Sequence, residues 1–460
     1  MVIRLFNAYF PSRTLLLALS EVCVVVLAFT TSCVFWMGRD ADIFLNYEGG
    51  FVKITIVTAV FIICMYYGDL YDSLILTNRR EVITRLIQVT GMGTLILALL
   101  YYAYPNARLG AKNFALGLFL VLLLVWFWRE LFLWLFRSKY LLDRAILLGD
   151  GPLAAKLADE ILRRPDFGFQ LVGYVGSSSI PTNGNLPYLG NLNQLLDIVQ
   201  DRRARHVLVA MTDQRGKLPL ESLLAIKSRH AHVQDGADIY EKLTGKLPIE
   251  SLRLSWLLFS PGFHTSRWLY AFKCIFSFMF SVLLLVIVSP LMLLIVLAIR
   301  LDSPGPAIFR QKRVGRGGKT FTLYKFRSMF DSLQADHRPA EKEDDRITRV
   351  GSVLRRTRLD ELPQLYNILR GDMHFVGPRP FVPEQEHELV TAIPFYNQRW
   401  NVKPGATGWA QVNRAYCATV DDNAEKLAYD LFYIKNMSIS LDLLILFKTI
   451  KILLLGRGGR

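Results

Sequence analysis

The stretch WLYAFKCIFSFMFSVLLLVIVSPLMLLIVLAI, from Trp268 to Ile299, decides how this chain is folded. It is longer than the roughly 20 apolar residues that a helix needs to cross a bilayer. Ser289 and Pro290 stand in its interior. Proline removes one backbone hydrogen bond and kinks a helix, and a serine hydroxyl can satisfy the carbonyl that is freed. Taken alone, the Ser-Pro pair is typical of an ordinary kinked transmembrane helix.

Basic residues flank this apolar stretch on both sides, namely Arg267, Lys273, Arg300, Lys312 and Arg313. Lysine and arginine accumulate on the cytoplasmic side of membrane segments. A straight span would put the two basic flanks on opposite sides of the membrane. We therefore predict a re-entrant helix over residues 268–300, which breaks at Ser289-Pro290 and returns to the face by which it entered.

Four more apolar segments lie in the first third of the chain, over residues 14–36, 51–68, 86–104 and 113–136. Most of them approach the length of a membrane span. The basic residues around them place both ends of the group in the cytoplasm. The chain combines a mean hydropathy of +0.28 with a formal charge of +15, which suits an anionic membrane surface. Residues 1–140 are thus predicted to form a four-helix transmembrane bundle.

The middle of the chain has the pattern of a Rossmann-like α/β domain, predicted over residues 141–250. The segment RAILLGDGPLAAKLADEIL, residues 144–162, has the pattern of a strand, a glycine turn and a helix. Gly149, Gly151 and Ala154 fit the G-x-G-x-x-A form of a dinucleotide fingerprint. No Asp or Glu ends the second strand, where such an acid would hold a ribose hydroxyl. Nucleotide binding and plain strand–helix packing both stay open for these glycines.

Acidic and basic residues are concentrated in RRTRLDELPQLYNILRGDMHFVGPRP, residues 355–380. Asp360 and Glu361 precede Pro363, which suits the first turn of a helix. The pair has arginines on both sides. Carboxylates can hold a hard cation or attack, and guanidinium groups grip phosphate oxygens, so the pattern suits metal-assisted chemistry on a phosphate. The dipeptide alone would fit a capped surface helix, because helix starts favour acids.

Two further motifs accompany this stretch in order along the chain. DSPGPAIFRQKRVGRGGKTFTLYKFRSM precedes it at 302–329, and KPGATGWAQVN follows at 403–413. Together they resemble the bacterial sugar transferase family, whose members move a hexose 1-phosphate from a UDP-sugar to a polyprenyl phosphate and release UMP. The resemblance implies an α/β catalytic domain over residues 262–460. It also matches Ser289 and Pro290 to the break of a re-entrant membrane helix.

The resemblance assigns roles to single residues. It makes Asp360 the nucleophile that forms a phosphosugar-aspartate intermediate. It makes Glu361 a ligand of Mg²⁺, with Asp360 beside the same metal and Mn²⁺ as an alternative ion. Lys325, Arg355 and Arg379 are then expected to neutralise charge on the phosphate oxygens.

The same resemblance implies a place and partners for the protein. We expect it in the bacterial inner (cytoplasmic) membrane, with its catalytic domain on the cytoplasmic face, priming exopolysaccharide or related glycan synthesis. The expected partners are the UDP-sugar, the polyprenyl phosphate and membrane lipid. We expect no nucleic acid, and a homo-oligomer is compatible with the sequence. The alternative is a non-catalytic membrane scaffold or regulator of a polysaccharide synthesis or export complex.

Two details of the C-terminal part leave alternatives open. The segment 440–456 suits either a helix in the membrane interface or a helix packed in a core. Short members of the family follow AQVN with glycine, whereas this chain has Arg414. This difference bears on local contacts and on sugar preference, and the motifs do not determine which hexose is used.

Overall fold

The computed structural model of the protein describes residues 2–72, 75, 78–136, 142–176, 186–211, 218–229, 231–251, 263, 266–330, 345–414 and 419–454. The chain divides into two compact units. The first contains residues 1–3 and 9–235, and the second contains residues 4–8 and 236–460. The domain boundaries predicted near residues 140, 250 and 262 stay predictions.

The N-terminal part of the chain is helical. Its elements are strands β1 (Val2–Leu5) and β2 (Ala8–Pro11) and helices α1 (Ser12–Met37), α2 (Ala41–Asn46), α3 (Gly50–Tyr67), α4 (Arg79–Ala103) and α5 (Ala111–Phe136). The α1–α2 stretch, α3, α4 and α5 are long and apolar enough to cross a membrane, judged by length and composition. The four predicted apolar segments are therefore confirmed as helices.

These helices pack through aromatic side chains. The ring of Phe29 on α1 lies 6.2 Å from the ring of Phe61 on α3 and 6.1 Å from that of Phe114 on α5. Gly117 makes this approach of α1 and α5 possible, because a Cβ there would lie 2.3 Å from the Phe29 ring. Large apolar side chains such as Leu99 are exposed on the outside, as a lipid-facing surface requires.

An ion pair lies inside this helical group. Glu21 on α1 and Arg129 on α5 are 0% and 2% exposed, and Arg129 forms two hydrogen bonds of 2.5 and 2.9 Å to the carboxylate. A further guanidinium nitrogen donates to the Leu70 carbonyl at 3.0 Å. A buried charge is costly unless it is paired and hydrogen-bonded. Both requirements are met here, so the pair links α1 to α5.

The remainder of the first unit is an α/β domain. Its elements are β3 (Asp143–Leu148), α6 (Pro152–Arg163), β4 (Phe169–Val175), β5 (Tyr188–Gly190), α7 (Leu195–Asp201), β6 (His206–Val209), α8 (Leu220–Ser228) and β7 (His232–Asp235). All strand pairs are parallel, in the order β5-β4-β3-β6-β7. This is the strand order of one Rossmann-type arrangement.

Gly149 ends strand β3 at the point where the strand order reverses. Its φ is 127°, and a Cβ there would lie 2.9 Å from the backbone of Ala210, which follows β6. Both the conformation and the close backbone approach require glycine. The first glycine of the fingerprint is therefore explained by packing between two strand ends, with no nucleotide needed.

The second unit begins with α9 (Gly236–Thr244) and the long helix α10 (Arg267–Asp302) and continues as a mixed α/β region. Its further elements are β8 (Ile308–Val314), β9 (Thr320–Phe326), α11 (Arg349–Thr357), α12 (Gln364–Arg370), β10 (His374–Val376), α13 (Pro383–Ala392), β11 (Gly405–Thr407), α14 (Trp409–Asn413), α15 (Val420–Lys435) and α16 (Ile439–Leu454). Strands β8 and β9 form an antiparallel hairpin, and β10 pairs with β11 in parallel.

Helix α10 contains Pro290 in its interior and is continuous from Arg267 to Asp302. Proline cannot donate to the carbonyl four residues earlier, which here belongs to Val286. The hydroxyl of Ser289 donates to that carbonyl at 2.9 Å. The predicted hydrogen bond from Ser289 to the freed carbonyl is therefore present. The predicted break does not divide the helix into two. The re-entrant course through the membrane stays a prediction.

Both ends of α10 pack against the same α/β region. Near its start, Lys273 is buried and pairs with Asp442 of α16 at 2.9 Å. Near its end, Ile299 lies in a core with Phe326 of β9 and Leu354 of α11. The 36 residues of the helix would extend about 54 Å if straight.

Helix α16 has two different faces. Leu441 and Ile445 are fully buried, whereas Ile450 and Leu454 are 49% and 72% exposed. The helix therefore packs on the second unit by one face and presents an apolar face outward. Packing in a core is therefore confirmed for one face of the helix, and the membrane-interface interpretation stays a prediction for the other.

Candidate active site

The acid pair lies in a short 3₁₀ turn, Leu359–Glu361, between α11 and α12. Arg358, just before it, has a left-handed backbone with φ of 61°. This conformation is uncommon for a residue with a Cβ and ends the preceding helix by turning the chain. Pro363 then stands at the N-cap of α12. The turn at Arg358 thus sets both carboxyl groups at the start of a helix.

Three cations surround the carboxylate of Glu361. Its Oε1 lies 3.0 Å from Nη2 of Arg379, 3.3 Å from Nζ of Lys325 and 3.3 Å from Nη1 of Arg358. Burial would raise the pKa of Glu361, but the combined charge of Arg379, Lys325 and Arg358 outweighs burial and holds that pKa well below its ordinary value. Glu361 therefore carries its charge throughout the neutral range.

Asp360 is held more loosely than its neighbour. It is 9% exposed, and its Oδ1 is buried without a hydrogen-bond partner among the described residues. Its Oδ2 lies 4.0 Å from Nζ of Lys325. Burial raises the pKa of Asp360, although the charge of Lys325 opposes this rise. A buried oxygen without a donor calls for an explanation, and here it is available to attack or to coordinate.

Lys325 reaches the acid pair from strand β9. The strand is joined to α12 by Asn367, which is fully buried. Its Oδ1 accepts from the backbone N–H of Tyr324 at 3.0 Å, and its Nδ2 donates to the Thr322 carbonyl at 2.7 Å. These bonds fix the strand that carries the lysine against the helix that follows the acids. Burial also lowers the pKa of Lys325.

Arg379 reaches Glu361 from the GPRP loop after β10. Two other arginines hold the backbone of this loop. Arg313 donates to the Pro380 carbonyl at 3.2 Å, and Arg399 donates to the Arg379 carbonyl at 2.8 Å. Burial, with the nearby charge of Arg379, lowers the pKa of Arg313 to about 10. The loop is therefore positioned by buried cations as well as by its prolines.

The structure brings together four of the predicted site residues: Asp360, Glu361, Lys325 and Arg379. Arg355 lies half-buried in the last turn of α11, and its predicted phosphate contact stays a prediction. Ser289 and Pro290 lie in α10 and belong to the membrane segment, not to this cluster.

The sequence predicted Arg358 as one of the arginines around the acid pair, but it did not predict that this residue turns the chain. Three other contributors to the site were missed, namely Arg313, Asn367 and Arg399. These three act through contacts with the backbone of distant segments. A single sequence carries no signal for such contacts.

Several neighbouring residues have plain structural roles. Trp409 is buried, stacks on Phe432 and donates to the Gly245 carbonyl at 2.8 Å, so it belongs to the core. Arg414, where short family members have glycine, pairs with Asp422 at 2.8 Å and with Glu425, both on α15. Arg414 therefore fastens the end of α14 to α15.

The cluster offers two adjacent carboxylates to a metal ion. Among the described residues there is no group of three or more His, Cys, Asp or Glu side chains that could enclose one. Mg²⁺ is commonly held by only one or two carboxylates together with substrate phosphates and water. The unpartnered Oδ1 of Asp360 fits such a shared ion. Glu361 Oε1 is occupied by three cations and would have to exchange at least one of them.

Comparison with known proteins adds the family. Residues 268–456 match the bacterial sugar transferase family, and residues 67–217 match a CoA-binding domain. A UDP-glucose:undecaprenyl-phosphate glucose-1-phosphate transferase of Escherichia coli (strain K12) is 32% identical over 330 residues, which cover 69% of each chain. The chain belongs to the bacterial sugar transferase family. The predicted resemblance is confirmed, and the acid pair lies inside the matched region.

Other relatives within the family carry different names. A UDP-N-acetylgalactosamine-undecaprenyl-phosphate N-acetylgalactosaminephosphotransferase of Aeromonas hydrophila is 45% identical over 240 residues, covering 50% of this chain and 54% of that one. This chain therefore spans about half the length of that relative. An exopolysaccharide production protein of Rhizobium leguminosarum bv. phaseoli is 42% identical over 189 residues, 39% of this chain and 92% of that one.

Proposed function

We propose that this protein transfers a hexose 1-phosphate from a UDP-sugar to a polyprenyl phosphate, with release of UMP. The observation that carries the proposal is the contrast within the acid pair. Asp360 has a buried oxygen without a hydrogen-bond partner in the part of the chain that the structure describes, while Glu361 is fixed by three cations. One carboxylate is free to react, and the cations around the other are placed to receive phosphate charge. The relatives named for such transfers support the same reaction.

In the first step, Oδ1 of Asp360 attacks the sugar-bearing phosphorus of the donor. The bond from that phosphorus to the bridging oxygen breaks, and its electron pair leaves with UMP. A phosphosugar-aspartate remains on the enzyme. Arg379, Lys325 and Arg358 neutralise the charge that gathers on the phosphate oxygens. Direct transfer would require two anionic phosphates to approach each other. A covalent intermediate on the carboxylate avoids this by dividing the transfer into two easier steps.

In the second step, a phosphate oxygen of the polyprenyl phosphate attacks the same phosphorus. The bond to Asp360 breaks, and the carboxylate is regenerated with its electron pair. The product is a polyprenyl diphosphate sugar. No external oxidant, reductant or water is consumed, so the two steps balance. The transfer suits the priming of exopolysaccharide or a related glycan.

Mg²⁺, or Mn²⁺ in its place, fits beside Asp360 and Glu361 and would supply further positive charge to the phosphates when bound. The residues of the chain have their own tasks in this arrangement. Asp360 keeps an oxygen available, and Glu361 holds Arg379 and Lys325 close to the reacting phosphate. A carboxylate that exchanges a cation for a metal can also release that cation toward the substrate.

The membrane arrangement completes the proposal. The four N-terminal apolar helices form a transmembrane bundle, and α10 enters and leaves the bilayer by the cytoplasmic face of the bacterial inner membrane. The packing of both ends of α10 on one α/β region supports this course, because a folded region lies on one side of a membrane. Its basic flanks support it as well. Such a wedge would bring a lipid acceptor and a soluble donor to one surface.

The deciding test measures UMP release by the purified full chain from a panel of UDP-sugars, with and without polyprenyl phosphate. With at least one UDP-sugar, UMP should be released by the wild-type protein and not by Asp360→Asn or in the absence of protein. With radiolabelled donor alone, the wild type should retain phosphosugar on the protein, and Asp360→Asn should retain none. Initial-rate plots should be parallel for a two-step reaction.

A matched control is Asp372→Asn. Asp372 is a neighbouring carboxylate that accepts from Asn367 and pairs with Arg370, so its loss should leave labelling intact. Absence of UMP release with every sugar would favour the non-catalytic scaffold. Intersecting rate plots without a labelled protein would favour direct attack of the acceptor on the donor.

A further inference from the structure

Two cations converge on one aromatic ring at the start of helix α10. The guanidinium carbon of Arg316 lies 4.7 Å from the ring centre of Tyr270, and Nζ of Lys403 lies 5.8 Å from the same centre. Tyr270 is in the first turn of α10, Arg316 is in the turn between β8 and β9, and Lys403 precedes β11. Three separate segments therefore meet at this ring.

Among the described residues, no carboxylate forms an ion pair with Arg316 or Lys403. Two acids of the same unit, Asp372 and Asp442, have other partners. Asp372 pairs with Arg370 at 3.7 Å and accepts from Asn367, and Asp442 pairs with Lys273 at 2.9 Å.

A buried histidine beside the ring experiences this charge. His374 is 4% exposed and lies 5.7 Å from the Tyr270 ring, with its Nδ1 unpartnered among the described residues. Burial, with the charges of Lys273, Lys403 and Arg316, lowers the pKa of His374 to about 3. Two cations that meet at one ring, with no carboxylate paired to either among the described residues, are typical of a site that takes its anion from outside.

The position of the cluster identifies the source of that anion. Tyr270 stands where α10 begins, a helix long and apolar enough to cross a membrane, and beside Trp268, which is 86% exposed. Exposed tryptophan and tyrosine at the end of an apolar helix mark the headgroup layer of a bilayer. Cations in that layer meet the phosphates of anionic lipids.

Arg316 and the lysine that contacts the acid pair lie at opposite ends of strand β9. Lys325, which contacts the acids, lies five residues beyond Thr320, the first residue of β9, whereas Arg316 lies before that strand. At about 3.3 Å per residue the intervening strand alone spans about 17 Å.

We propose that Arg316 and Lys403, held around the ring of Tyr270, form a binding site for the headgroup of an anionic phospholipid. By holding the start of α10 at the lipid headgroups, the site sets how deeply the second unit lies in the membrane surface and at what tilt. It rests on the membrane placement of that helix and not on the transfer chemistry.

The test uses the full chain in detergent micelles with added phosphatidylglycerol, and bound lipid is counted by native mass spectrometry. The double variant Arg316→Gln/Lys403→Gln should bind phosphatidylglycerol about 10- to 30-fold more weakly than the wild type. Tyr270→Phe should retain binding, because the ring and not the hydroxyl holds the cations. Phosphatidylcholine should bind poorly to all of them.

The matched control is Lys312→Gln/Lys319→Gln, which removes two exposed cations from the same hairpin. An equal loss of phosphatidylglycerol in this control would overturn the site in favour of diffuse surface charge. Full displacement by millimolar inorganic phosphate would reassign it to a free anion, and binding of polyprenyl phosphate alone would reassign it to the acceptor.

Repeating the count on the Asp360→Asn background separates the two proposals. Lipid binding should be unchanged there while UMP release is lost. Failure of the lipid count would leave the transferase proposal standing, and failure of UMP release would leave the lipid site standing.

Discussion

The buried guanidinium of Arg399 donates a hydrogen bond of 2.8 Å to the backbone carbonyl of Arg379. Arg399 is itself held by Asp430 at 2.9 Å and Glu386 at 3.4 Å. One arginine thus positions another, which in turn contacts Glu361. Arg399 does not touch the acid pair, so it is a positioning residue whose effect on catalysis passes through the GPRP loop.

Replacing Arg399 by alanine should destabilise the second unit by about 3–5 kcal/mol, because it leaves two buried carboxylates without their cation. Arg399→Lys keeps the charge but lacks the planar fork that serves several acceptors. We expect this variant to fold and to lose about 10-fold in kcat/KM, with a raised KM for the donor. Steady-state kinetics and thermal unfolding in detergent measure the two effects.

Arg414→Lys is the matched control, since Arg414 also pairs with two carboxylates but is partly exposed. Such pairs contribute about 1 kcal/mol or less. If Arg399→Lys kept wild-type KM and kcat while folding normally, the positioning role would be disproved.

Arg358 combines a left-handed backbone with a charge that contacts Glu361. Asparagine tolerates its left-handed conformation without the charge. Arg358→Asn should therefore keep the unfolding temperature of the wild type and lose about 10- to 100-fold in kcat/KM. Arg356→Asn, an exposed arginine two residues earlier, should change neither quantity. A matching loss of activity in both variants would point to general surface charge instead of a contact with Glu361.

As the pH is lowered, we expect kcat/KM to begin to fall at a higher pH than it would if Asp360 had the pKa of an ordinary aspartate. Asp360 must be ionised to attack, and burial raises its pKa above the usual 3.8. Glu361 stays ionised, because its pKa is lowered. Lys325 opposes the rise at Asp360, so Lys325→Gln should move the acid limb of kcat/KM further upward. A pH profile with no shift in this variant would contradict the coupling.

The same pKa has a consequence for stability. A carboxyl whose folded pKa is raised favours the folded state when protonated, and this contribution is lost as the pH rises through the folded pKa. Asp360→Asn removes the buried charge and should raise the unfolding temperature at pH 7.5 while abolishing transfer. The difference from wild type should shrink below the pKa of Asp360. A lowered unfolding temperature at pH 7.5 would refute this account.

The course of α10 can be tested by cysteine labelling. In a background without the five native cysteines, single cysteines replace Arg267 and Lys312, which are exposed and lie on opposite sides of the helix in sequence. Both should react with an impermeant reagent only when the cytoplasmic side is open. Reaction of the two positions from opposite sides would establish a true fifth span.

The sequence predicted the features that depend on local pattern. Segment length and hydropathy predicted the four N-terminal helices, and the rescue of the Val286 carbonyl by Ser289 followed from helix geometry. Motif order predicted the family, and with it the acid pair, Lys325 and Arg379 as neighbours. Each of these depends on residues close in sequence or on a pattern that the family repeats.

The features that were missed depend on contacts between distant segments. Asn367 joins β9 to α12 across more than 40 residues, and Arg399 reaches the backbone of Arg379 from a different loop. Which distant segments come into contact is decided by tertiary packing, and a single sequence does not predict such contacts.

The buried pair of Glu21 and Arg129 has a consequence for biosynthesis. The two residues are separated by 108 positions, so at roughly 5–20 residues per second Glu21 is made roughly 5 to 20 s before its partner. A lone acid at the middle of a membrane helix costs about 3 kcal/mol on insertion. The first helix therefore carries this cost until α5, which bears Arg129, has been made. Truncating the nascent chain before Arg129 should leave the first helix easier to extract from the bilayer than it is in the full chain.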